Sequence, residues 1–264
     1  MKPLEYWKPE GFEISSYKYS LRERVNQTYT TSGGDNTNLC TYTYNELGFR
    51  GDSIKKEGFK VMSLGCSITE GVGVNDNETW PTQFCSHIEN SVNLNFGTGG
   101  RSNDFICRCL MSYYDLIKPD LVLIMYTVPH RREIYTADNG IEPYIPTRVW
   151  GKLLETEEGQ IIQSSLDILQ NNNSDLINWY KNHMLIKLFL ESKKCNWVWD
   201  GRHLQTDYKE FNRFTALDNF KMDLGSDDLH PGPAHHSHYG RVLFDYISMK
   251  FSTYLPKKIE NKLI

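Results

Sequence analysis

Lys60-Val61-Met62-Ser63-Leu64-Gly65-Cys66-Ser67-Ile68-Thr69-Glu70-Gly71 decides the fold, because a short apolar run breaks at a glycine into a turn that holds a serine. A run of this length bounded by a turn signal is the pattern of a buried strand that stops sharply. The rhythm continues downstream. Thr79 can cap a helix with Pro81 at an early, donor-free position, and Trp80, Phe84 and Ile88 recur at four-residue spacing along it. Residues 92–96 read as a second strand. Ser102 or Asn103 can cap the next helix, where Ile106, Leu110, Met111, Tyr114 and Ile117 make a stripe that Pro119 ends. Residues 121–126 are a third strand. Strands alternating with helices predict a parallel sheet, since parallel neighbours need crossover connections. Farther on, Ser174 can cap a helix with Ile177, Tyr180, Met184 and Leu188 inward, and residues 196–199 read as a fourth strand. A last helix over 233–254 places Leu243, Ile247, Phe251 and Tyr254 on one side. Residues 127–165 give no clear pattern.

Upstream, residues 1–55 lack this rhythm apart from an alternating Thr41-Tyr42-Thr43-Tyr44 and the stretch Asn45-Glu46-Leu47-Gly48-Phe49-Arg50-Gly51. The division expected is an N-terminal extension over 1–55 packed on an α/β domain over 56–264. A chain of 264 residues suits one large domain, and 39% hydrophobic with 13% aromatic residues describes a packed chain and not a disordered one. The net charge of −4, with no dense basic run, argues against nucleic acid as a partner. The longest apolar run, 121–126, is far short of a membrane span, and the first twenty residues hold no apolar core of a signal peptide. A cytoplasmic location is the resulting expectation. Six scattered cysteines in a chain of this size predict reduced thiols and not a disulfide framework.

In open parallel sheets, ligands bind beyond the carboxyl ends of the strands. Three segments there carry chemistry. Gly65 to Gly71 puts Ser67 at a strand-to-helix turn, where a hydroxyl is exposed among backbone N–H groups, although a lone Gly-x-Ser is equally the pattern of a capped helix. Asn95-Phe96-Gly97-Thr98-Gly99-Gly100-Arg101-Ser102 is a glycine cluster entering a helix, able to face developing negative charge, and it has no nucleotide-loop spacing. Asp227-Asp228-Leu229-His230-Pro231-Gly232 spaces Asp227 three residues from His230, so the carboxylate can orient the ring as a base for a hydroxyl nucleophile. His235, His236 and His238 follow and raise a metal site with His230 as an alternative, without the carboxylate or thiolate spacing of a zinc pattern. Cys66 is the alternative nucleophile, a thiol beside the serine.

These pieces, in this order, resemble the SGNH hydrolases, the GDSL esterase/lipase superfamily, over about residues 59–255. The family's Gly-Asp-Ser-x-Thr-x-Gly looks like Gly65-Cys66-Ser67-Ile68-Thr69-Glu70-Gly71, with Cys66 for Asp. Its Asn-led second block is similar to the segment from Asn95 to Gly100, and its Asp-x-x-His-Pro matches Asp227, His230 and Pro231. The resemblance implies Ser67 as nucleophile, His230 as general base, Asp227 as its orienter, and the N–H groups of Ser67 and Gly100 as oxyanion donors. The family's third block, Gly-x-Asn-Asp, is absent: Thr127-Val128-Pro129-His130-Arg131-Arg132 stands there, with Pro129 at the place of the oxyanion Asn. Thr127, His130 and Asn103 are the substitute donors or substrate contacts the sequence offers. Implied with these are a three-layer α/β/α sandwich around a flavodoxin-like parallel sheet of about five strands, and hydrolysis of a carboxylic ester through an acyl-enzyme. The substrate expected is a short acyl group such as acetyl on a carbohydrate or other small polar molecule, with no cofactor and no metal. The alternatives are O-acyl transfer by the same triad and a catalytically inactive binding module on the same fold.

Overall fold

The computed structural model describes residues 24–32, 39–136, 140–145, 148–149, 155–169, 171–201, 213–214 and 222–256. Its centre is a six-stranded sheet. β4 (Phe59–Leu64) lies between β5 (Ser91–Asn95) and β6 (Leu121–Met125), and β10 (Asn196–Asp200) and β11 (Arg213–Phe214) continue beyond β6, all parallel. β3 (Arg50–Gly51) closes the other edge against β5 and runs antiparallel. Numbered along the chain, the five parallel strands have the order 2-1-3-4-5, the flavodoxin-like arrangement. The Arg50-Gly51 pair, grouped by sequence with the extension, is thus an edge of the main sheet.

Period-two alternation divides the core between the two faces of this sheet. Met62, Leu64, Val122 and Ile124 pack with α3 (Asn103–Ile117) and α5 (Asn172–Ser192). Val61, Leu121, Leu123 and Met125 pack with α2 (Trp80–Cys85) and α6 (Pro233–Lys250). The result is three layers. Capping follows the sequence closely: Thr79 accepts from the Thr82 N–H, and Ser102 from the Phe105 N–H. A hairpin of β1 (Thr28–Ser32) and β2 (Leu39–Thr43) contains the alternating Thr41-Tyr42-Thr43 piece. The stretch after β6, which had no clear pattern, includes an antiparallel sheet of β7 (Arg132–Thr136), β8 (Gly140–Ile145) and β9 (Arg148–Val149), followed by α4 (Glu157–Leu169).

One expectation is corrected. In α5 the cap is Asn171, whose side chain accepts from the Ser174 N–H, and Ile177, Tyr180 and Leu188 are 60%, 44% and 57% exposed. The inward face carries Asp175, Trp179, Asn182, His183, Ile186 and Leu190. The reason is polar: Asn178 and Asn182 donate to the Asp104 carboxylate at 2.9 and 2.7 Å, and His183 Nδ1 pairs with the Tyr126 hydroxyl at 3.1 Å. An apolar stripe cannot identify a face that must satisfy a carboxylate.

Arg50 ties the edge of the sheet to the serine turn. Its guanidinium, 1% exposed, donates to the carbonyls of Glu70 at 2.9 Å, Gly71 at 2.7 Å and Val74 at 3.1 Å, and Nε reaches Asp76 at 2.8 Å. The Tyr42 ring lies 4.2 Å from its centre. Arg50→Met leaves these carbonyls without a donor, and we expect a loss of about 3–5 kcal/mol in urea denaturation with an unchanged slope. A loss under about 1 kcal/mol would mean that water replaces the guanidinium.

Candidate active site

The serine turn follows β4 directly. Gly65 and Cys66 lead into the four-residue helix α1 (Ser67–Glu70), closed by Gly71 and by hydrogen bonds from Glu70 N–H to Cys66 O and from Gly71 N–H to Ser67 O, both 2.9 Å. Ser67 is the first residue of this turn and is 9% exposed. Its hydroxyl lies 3.9 Å from the buried Cys66 thiol, and its N–H has no partner among the described residues.

The glycine segment after β5 packs on this turn. A Cβ on Gly97 would stand 2.2 Å from the Glu70 nitrogen and 2.5 Å from the Thr69 carbonyl carbon, so backbone meets backbone there and only glycine fits. The N–H groups of the segment have distinct fates. That of Gly97 donates to the Asn95 side chain at 2.9 Å, that of Thr98 to Gly65 O at 3.3 Å, that of Gly99 to the Glu70 carboxylate at 2.6 Å, and that of Arg101 to Thr98 O at 3.4 Å. Gly100, in the left-handed region at φ 72°, has an N–H with no partner among the described residues. The segment lies close to the serine: a Cβ on Gly99 would contact the Ser67 Cβ at 3.8 Å.

The third element is the loop before α6. Asp227 Oδ1 accepts from the N–H groups of His230 at 3.0 Å and Leu229 at 3.2 Å, while Oδ2 meets His230 Nδ1 at 2.5 Å. Burial alone would raise the Asp227 carboxyl, but the His230 backbone N–H, its ring and the Leu229 N–H outweigh it and hold the group below the usual carboxylate value. Asp228 is exposed and takes a left-handed φ of 54°. The loop docks on the turn that follows Ser67, with Ser226 N–H donating to Gly73 O at 2.8 Å. Behind it, Asp223 accepts from the N–H groups of Ala234 and His235, both at 2.9 Å, and caps α6. Among the described residues no hydrogen bond joins Ser67 Oγ to His230.

The substitutes for the absent Asn differ in availability. Asn103 is fully buried, accepts from the Thr127 N–H at 3.0 Å and donates to Thr127 O at 3.1 Å. Its amide therefore holds the end of β6, with one of its two N–H protons committed to the Thr127 carbonyl. Thr127 is buried and fixed by this pair, with no hydrogen bond to its hydroxyl among the described residues. His130 is half-buried; burial lowers its imidazole, the Asp175 carboxylate opposes this, and Arg131 reinforces it. The histidines after His230 diverge, since His236 is fully buried with Nδ1 accepting from the Trp80 N–H and His238 is exposed. Among the described residues no group of three or more His, Cys, Asp or Glu side chains is placed to hold a metal ion. A hollow lined by Phe59, Asp120 and Phe244 lies at the opposite ends of the strands, away from Ser67.

One constellation at the site was missed in the sequence. Glu70 is 4% exposed, and its partners Arg24 and Tyr44 come from the segment ahead of the sheet. The available signal was a carboxylate inside a block otherwise made of small and apolar residues.

No protein-family profile matches the chain, and no curated protein matches it in sequence. Solved structures similar to it include a carbohydrate esterase family 2 enzyme with a carbohydrate-binding domain from Corynascus thermopiles (Myceliophthora fergusii), 10% identical over 81% of this chain and 71% of that one, TM-score 0.47. A Clostridium thermocellum family 3 carbohydrate esterase is 13% identical over 76% of this chain and 100% of that one, TM-score 0.37. A carbohydrate acetylesterase family member from Sinorhizobium meliloti is 12% identical over 73% and 99%, TM-score 0.34.

Proposed function

We propose that the protein is a serine esterase that removes a short acyl group, such as acetyl, from a carbohydrate or other small polar alcohol. The observation that carries this reading is the His230–Asp227 pair, joined at 2.5 Å and docked on the loop that leaves the Ser67 turn. A carboxylate on Nδ1 leaves Nε2 as the basic nitrogen, the tautomer that can take a proton from a hydroxyl. The N–H groups of Ser67 and Gly100, without partners among the described residues, support it further, because the Gly99-Gly100 segment packs against the serine.

In the reaction, the Ser67 hydroxyl turns from Cys66 toward His230, Oγ bonds to the acyl carbon and the proton passes to Nε2. The carbonyl oxygen becomes an oxyanion facing the N–H groups of Ser67 and Gly100. Collapse breaks the bond to the alcohol oxygen, which leaves with the proton from His230. Water then attacks the acyl-enzyme, gives its proton to His230, and Ser67 recovers it as the acid departs. With Pro129 in place of the family's Asn, two donors do the work of three, and the reading predicts a slow enzyme, by roughly 10²–10³ relative to one with the full set. A non-catalytic module on this fold is the second reading, favoured by the missing Ser67–His230 hydrogen bond; apo geometry of this kind often tightens only with substrate bound.

Incubation with a fluorophosphonate probe followed by peptide mass mapping tests the proposal. The expected adduct is on Ser67 and is lost in Ser67→Ala and His230→Ala. A folded protein that acquires no adduct between about pH 6 and 9 would transfer the argument to the binding module.

A further inference from the structure

We infer that Glu70 is a positioning residue that locks the Gly99-Gly100 segment against the Ser67 turn and so sets the direction of the Gly100 N–H. The inference rests on the esterase reading above.

Glu70 belongs to the same turn as Ser67, and its backbone is held at both ends, by its N–H on Cys66 O and by Arg50 on its carbonyl. Its carboxylate is buried away from water, an arrangement that is costly unless donors surround it. Three do: Arg24 Nη1 at 2.8 Å, the Tyr44 hydroxyl at 3.1 Å and the Gly99 N–H at 2.6 Å. Burial and the neighbouring Glu70 charge raise the Tyr44 phenol, which keeps its proton and donates.

The Gly99 bond is the consequential one. An N–H to carboxylate contact at this length is charge-assisted and short, and it fixes the plane of the Thr98–Gly99 peptide. The next peptide carries the Gly100 N–H. Two successive glycines lend that peptide no side-chain restraint, and on its far side the hydrogen bond from Arg101 N–H to Thr98 O is long, 3.4 Å. Orientation of the oxyanion donor therefore depends on Gly99, and Gly99 is held by Glu70. The same contact removes the Gly99 N–H from the candidate donors. One side chain thus couples the Ser67 N–H and the Gly100 N–H, two groups that must keep their relative placement within about 0.5 Å to act together. Arg24 and Tyr44, bonded to the other carboxylate oxygen, make the segment ahead of the sheet part of this support.

The test compares Glu70→Ala and Glu70→Gln with the unmodified chain, using 4-nitrophenyl acetate turnover, the rate of fluorophosphonate labelling at Ser67 and the proton resonance of the Gly99 amide. Glu70→Ala is expected to lower kcat by about 10²-fold with KM nearly unchanged. Glu70→Gln keeps an acceptor oxygen for Gly99 and is expected to restore most of that loss, with the Gly99 resonance moved upfield because the acceptor is no longer charged. A folded Glu70→Ala that turns over and labels at the unmodified rate overturns the inference, as do equal losses in both variants. Should the alanine variant fail to fold, the resonance decides: an unmoved Gly99 signal in Glu70→Gln overturns it. Absence of labelling in the unmodified chain is a separate outcome, which defeats the esterase reading and this inference with it.

Discussion

Ser67→Ala is expected to lower kcat for 4-nitrophenyl acetate by roughly 10³–10⁴-fold while leaving the urea midpoint almost unchanged. Removing the nucleophile of a complete serine-hydrolase triad costs on the order of 10⁶ in turnover. On the proposed esterase reading the starting rate is itself lower by roughly 10²–10³, with two oxyanion donors in place of three, so less remains to lose. Stability should not follow activity: among the described residues the Ser67 hydroxyl has only the 3.9 Å contact with Cys66, and its removal leaves none of their buried donors unpaired. Cys66→Ala is the necessary counterpart. If it kept activity while Ser67→Ala lost it, the thiol alternative would be dismissed; the reverse pattern would make Cys66 the nucleophile.

The parts of the fold legible in the sequence are those where one chemical need dominated. Residues 60–64, 92–96 and 121–126 are short and mostly apolar, wholly so in the last, because central parallel strands are covered on both faces, and their edges differ from β4, β5 and β6 by a residue. Thr79 and Ser102 were readable as caps because a hydroxyl ahead of an apolar stripe has few other uses. α5 was misread in its facing because its buried side answers to Asp104 and Tyr126, which lie 57 or more residues from their partners in the chain and leave no local periodicity. The same limit applies to the site. Ser67, Gly100, Asp227 and His230 occur in short local blocks and could be named. Glu70, Arg24 and Tyr44 form a constellation only after folding, and the two contacts of Asn103 with the Thr127 backbone likewise join residues 24 apart in the chain.

Asp227→Asn is expected to reduce kcat by roughly 10–10²-fold, the roughly 10⁴ of a complete triad scaled by the same missing donor, with KM little changed. The geometry gives the reason. Asp227 Oδ2 meets His230 Nδ1 at 2.5 Å, and a carboxylate in that place can only accept, so the ring proton is held on Nδ1 and Nε2 is free for the serine. An asparagine amide can turn its NH2 toward Nδ1, which favours the tautomer with Nε2 protonated and removes the base without removing the ring. The Leu229 and His230 N–H groups still find the amide oxygen, so the loop should keep its shape. Asp227→Asn and the unmodified chain are separable by pH. The Asp227 carboxyl sits lower in the folded chain than its unfolded value of about 3.9, so its contribution to stability is complete above that value and is lost as pH falls through the folded one. Asp227→Asn should lack this acid limb and unfold with a flatter dependence on pH below about 4. A variant that kept both its turnover and its acid limb would show that Asp227 neither orients His230 nor carries the charge ascribed to it, and Asp228 would become the group to replace next.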